Sequence, residues 1–100
     1  MKIDYYKITK IDYLREKDVF SVRFECYYNG ELSLREGCDV DLKIKQGLSL
    51  EDRKALISKK ITSLIVSRIE QSEMQVLRGE KIKFNPELLS KKNDISKKYS

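Results

Sequence analysis

Residues 19–44 read VFSVRFECYYNGELSLREGCDVDLKI, and apolar side chains in this stretch fall almost wholly on even numbers. Phe20, Val22, Phe24, Cys26 and Tyr28 alternate with Ser21, Arg23, Glu25 and Tyr27. Beyond Asn29-Gly30 the alternation resumes through Leu32, Leu34, Cys38, Val40, Leu42 and Ile44. A period of two sustained over this length marks strands with one buried face.

The turn between the two runs carries a parity argument. A two-residue Asn29-Gly30 loop sets Tyr28 opposite Glu31 and pairs every even residue with an odd one, which puts the two apolar sets on opposite sides of the sheet. An odd loop avoids this. Tyr28-Asn29-Gly30, with Gly30 left-handed at a G1 bulge, satisfies both the glycine and the parity. Phe24 is then expected to face Leu34, and Cys26 to face Leu32. Gly37, beside Glu36 in an otherwise apolar set, suggests a bulge or bend in the third strand.

Upstream, residues 2–14 form a less regular strand joined to Val19 by Arg15-Glu16-Lys17-Asp18. With Leu14 opposite Val19, the residues Tyr13, Ile11, Tyr5 and Ile3 join the apolar face, and Tyr6 and Ile8 lie on the reverse near Tyr27 and Glu25. Downstream, Ser49 is placed to cap a helix whose first turn holds Glu51 and Asp52. Ile57, Ile61, Leu64, Ile65 and Ile69 give that helix one apolar stripe. At 1.5 Å per residue it is about 36 Å long, close to a ten-residue strand of about 33 Å, so it can roof the even face. Gly79 punctuates the chain, Ile82 and Phe84 alternate with lysines, and Asn85-Pro86 reads as the start of a last helical turn through Leu88 and Leu89.

The expected fold is α+β: a three-stranded antiparallel β-meander (residues 2–14, 19–28 and 31–45) packed on one face by a long α-helix (50–74). A short fourth strand at 81–84 and a short C-terminal helix complete a single domain over residues 1–90. Residues 91–100 are expected to form a basic, flexible tail.

One hundred residues suffice for a core without disulfides or metal. Two cysteines and no histidine argue against a zinc site, and both thiols are expected to be buried in a reducing cytoplasm. No signal-peptide pattern opens the sequence and no apolar run approaches 20 residues, so no membrane partner is expected. Residues 1–50 hold nine basic and nine acidic groups, and residues 51–100 hold twelve and seven; the whole excess of +5 lies in the second half.

Enzyme signatures are missing: there is no histidine, no glycine-rich phosphate loop and no nucleophile elbow. Asp39 and Asp41 share a strand face without further oxygen ligands at loop spacing. No catalytic residue, metal ligand or cofactor is assigned. The apolar residues left after one core is filled, Tyr6, Ile8, Tyr27, Leu56 and Val66, point to a non-enzymatic interaction protein that docks to another protein or to itself, in the style of an accessory or inhibitor protein. A second class is a nucleic-acid binder that uses Lys10, Arg23 and Arg35 on the sheet, Arg53, Lys59 and Lys60 on the helix, and the tail. Arg68 falls near the centre of the apolar stripe. It either snorkels, pairs with a buried acid (Glu36 is the candidate), or binds an anionic small ligand.

Overall fold

The computed structural model describes residues 1–90, so the basic tail at 91–100 lies outside the described residues. Three antiparallel strands, β1 (Tyr5–Leu14), β2 (Val19–Tyr28) and β3 (Glu31–Val40), pair in chain order with β2 central. A 3-10 turn (Ile44–Gln46) leads to the helix α1 (Leu50–Met74), and a last short helix, α2, spans Glu87–Ser90. Ser49 Oγ accepts from the Asp52 N–H at 3.1 Å while the Asp52 carboxylate accepts from the Ser49 N–H at 3.4 Å, closing a capping box at the start of α1. The Asn85 side chain accepts from the Glu87 N–H at 3.1 Å at the start of α2. Among the described residues no helix is long and apolar enough to cross a membrane.

The core lies between β2 and β3 on one side and α1 on the other. Val22, Phe24 and Cys26 are fully buried, joined by Val40, Leu42, Ile57, Ile61 and Ile65. The even face of β2 is thus the inner face, and the helix stripe is the one its periodicity marks. β1 starts at Tyr5 rather than residue 2, although Ile3 still packs against the core. β3 stops at Val40 rather than residue 45: the Asp41 carboxylate accepts from the Lys43 N–H at 2.9 Å, and Lys43 turns left-handed (φ 52) into the 3-10 turn. Among the described residues no fourth strand forms at 81–84.

Register departs from expectation at two bulges. The hairpin loop is two residues after all: Tyr28 pairs with Glu31, and Asn29 (φ 51) and Gly30 (φ 78) are both left-handed, as a type I′ turn demands. Parity is restored within β3, where Ser33 is the extra residue between Leu32, opposite Tyr27, and Leu34, opposite Cys26. Phe24 therefore faces Glu36 rather than Leu34, Cys26 faces Leu34 rather than Leu32, and Leu32 turns outward. The second bulge is at Thr9, between the pairs Ile8–Phe24 and Lys10–Arg23. It reverses the phase of the first half of β1. Tyr6 and Ile8 belong to the inner face, and Tyr5 joins Tyr27 on the outer one. Gly37 sits at neither bulge; a Cβ there would lie 3.3 Å from the Val22 carbonyl oxygen, so the close approach of β2 explains the glycine.

Glu36 lies on the inner face, opposite Phe24, and Arg68 meets it there. Arg68 Nε donates to both carboxylate oxygens at 2.8 and 2.9 Å, Nη2 donates to Oε1, and Nη1 donates to Gln71 Oε1 at 3.0 Å. This fork, with Glu36 the dominant cause, raises the Arg68 pKa further above its ordinary value. Of the three roles open to Arg68, pairing with Glu36 is the one the structure adopts.

Two measurements test this packing. Ile61→Ala should cost about 2–5 kcal/mol in urea unfolding, whereas Leu32→Ser, outside the core in the observed register, should change stability by less than about 0.5 kcal/mol. Arg68→Ala should lower the urea midpoint by leaving Glu36 unpaired on the inner face, and the double change Arg68→Met with Glu36→Leu should recover most of the loss.

Candidate functional site

An α-helix with its side chains is about 10–12 Å across, while strands repeat every 4.8 Å or so. One helix therefore covers little more than two strands. Here α1 packs toward β3, and the inner face of β1 is left uncovered. Along β1, Ile8 is 41% exposed, Ile11 48% and Tyr13 50%, although all three project from the side of the sheet that carries the core. Tyr6 is half-buried, its ring edge-on to Phe24 at 6.1 Å.

The result is a groove of about 670 Å³ between β1 and the first half of α1. Tyr6, Ile8 and Ile11 form one wall, Leu50, Arg53 and Ile57 the other, with Leu42 at the base. Glu51 and Lys54 stand at the rim. Arg53 Nε is buried without a hydrogen-bond acceptor. The surface is mostly aliphatic and aromatic, with one donor in need of an acceptor.

The reverse of the sheet is a different kind of surface. Tyr5 and Tyr27 stack at 5.2 Å, and Lys7 Nζ lies 5.6 Å from the Tyr27 ring centre. The Tyr27 hydroxyl donates to Glu25 Oε1 at 2.9 Å, and Arg35 donates to Glu25 Oε2 at 2.9 Å. Held by the Tyr27 hydroxyl first and the Arg35 guanidinium second, the Glu25 carboxyl ionises below its ordinary value of 4.5. Lys10 pairs with Asp12 at 3.3 Å and Lys17 with Asp39 at 3.9 Å. Rings stack on rings and most cations meet carboxylates, so this network satisfies itself. Arg23 remains at an open trough beside Gly37.

The residues singled out from sequence do not converge. Tyr6, Ile8 and Arg53 meet in the groove. Tyr27, Lys10, Arg23 and Arg35 lie on the reverse face. Leu56 packs against the core at its edge, beside a shallow depression that it shares with Lys59 and Lys60. Val66 stands exposed on α1. Ile11, Leu42, Leu50 and Ile57 complete the groove without having been assigned to a site. A signal for Ile11 exists in the spacing Tyr6, Ile8, Ile11, Tyr13, where one gap of three interrupts a period of two and marks the bulge. Cys26 and Cys38 are free thiols whose pKa values are pushed up mainly by burial, which favours the protonated thiol.

The Glu25 network predicts a pH dependence. Because the folded carboxyl ionises below 4.5, its stabilisation is complete above that value and is lost as pH falls through the lower folded pKa. Glu25→Gln should melt below the wild type at pH 7, and its Tm should fall less than the wild type's between about pH 5 and pH 3. No protein-family model, curated protein or solved structure matches the chain, and its functional assignment therefore starts from this geometry.

Proposed function

We propose that the chain is a small, non-enzymatic interaction protein of the reducing cytoplasm that works by self-association, with the uncovered inner face of β1 as its contact surface. The observation that carries this reading is the run Ile8, Ile11 and Tyr13, continuous with the core yet roughly half exposed. Apolar surface of this kind, rimmed by Glu51 and Lys54, is characteristic of a docking patch.

Nucleic acid fits less well. Of the surfaces that would carry it, the outer sheet face has its tyrosines stacked on each other, Lys10 engaged with Asp12, and Arg35 engaged with Glu25. An anionic ligand around Arg68 competes with the fork to Glu36.

Light scattering of the full chain, with and without added DNA or RNA, separates these readings. The expected mass exceeds 11.8 kDa, rises with protein concentration and is indifferent to nucleic acid. A chain that stays at the monomer mass by itself and gains mass only with nucleic acid, steeply weakened by salt, overturns the proposal.

A further inference from the structure

The chain also carries apolar side chains that its own fold leaves unused. Beyond Gly79 (φ 79) the backbone leaves α1 as an arm on which Ile82 is 77% and Phe84 86% exposed, followed by Leu88 and Leu89 on the last helical turn. Ile82 and Phe84 are two residues apart, so an extended arm presents both on one side and Lys81 and Lys83 on the other.

Ile82 and Phe84 cannot reach the chain's own groove. The Glu80 N–H donates to the Leu77 carbonyl at 3.1 Å, which pins the arm's root to the 3-10 turn (Gln75–Leu77) that follows α1. From Glu80, Phe84 is four residues on and reaches at most about 14 Å. The nearest groove residue on the helix, Ser58, lies nineteen residues before Leu77, or about 29 Å along the axis. A second copy laid antiparallel brings its arm to that position without this limit.

Resting on the self-association reading above, we propose that the groove between β1 and the first half of α1 is the seat for the arm of a second copy, Ile82 and Phe84 foremost, exchanged reciprocally about a two-fold axis. An extended peptide suits the seat because it brings backbone carbonyls to Arg53 Nε, which has no acceptor. The area is adequate. Four arm side chains of roughly 60–120 Å² each, met by an equal area of groove and counted for both copies, give on the order of 1,000–1,900 Å², which overlaps the range of stable specific interfaces. Reciprocity follows from the isologous symmetry of a dimer in which each chain owns one arm and one seat.

The test is complementation between two damaged full-length chains, Ile8→Glu in the seat and Phe84→Glu in the arm, each checked for folding by circular dichroism and weighed by light scattering. The wild type should run near twice 11.8 kDa, and each variant alone should associate at least about tenfold more weakly. An equimolar mixture should regain dimer, because the seat variant supplies an intact arm and the arm variant an intact seat. If Ile8→Glu does not fold, Ile11→Lys takes its place. A Phe84→Glu chain that dimerises like the wild type while the seat variant dissociates overturns the exchange and leaves self-association through the face standing. Two monomeric variants that fail to complement also overturn the exchange. A wild type that is monomeric at every concentration, or a dimer that neither variant weakens, overturns both.

Discussion

Everything in this molecule depends on one ladder of contacts, Ile57, Ile61 and Ile65 of α1 set against Val22, Phe24 and Cys26 of β2. These six residues supply most of the buried core, and the central strand contributes its three at zero exposure. Because the ladder is one helix wide, it fixes a boundary as well as a core. Strands β2 and β3 are roofed, and β1 is not. The Arg68–Glu36 fork sits farther along the same helix and ties it to β3.

The sequence disclosed periodicity well and interruptions poorly. The even-numbered set of β2, the limits of α1 and the Ser49 cap follow from patterns that are local and repeated, and each is present in the structure. The need for matched parity between β2 and β3 was also legible, because a buried face forbids the alternative. Where the extra residue goes was not. Asn29-Gly30 keeps its preferred two-residue turn and the chain takes up the difference at Ser33, a position with no distinguishing residue type. The bulge at Thr9 left one trace, the gap of three between Ile8 and Ile11, and it carried Tyr6 and Ile8 to the inner face. Gly37, the residue that looked most like a bulge, answers instead to the nearness of the Val22 carbonyl oxygen.

The candidate site was correspondingly half legible. Tyr6 and Ile8 were singled out as surplus apolar residues, and they do line the groove, from the face opposite to the one expected. Their partners Ile11, Leu42 and Ile57 are indistinguishable in sequence from core residues, because a groove in an unfinished core is made of core residues. Arg53 and Arg68 show the limit of periodicity for charged side chains. Arg68 falls within the apolar stripe and Arg53 on its flank, yet Arg68 closes a bidentate pair and Arg53 keeps an unanswered N–H. Tertiary register decides between these fates.

The sheet pairs only strands adjacent in the chain, through a four-residue link and a two-residue turn. Closing such short loops costs little entropy, and topologies dominated by near-neighbour contacts fold quickly for their size. The meander can therefore zip from its central hairpin while α1 is still forming, with the roof arriving as the last intramolecular event. Nascent chains would then pass only briefly through a stage with the whole inner face bare, which limits the time in which crowded copies can tangle before each has its own roof in place.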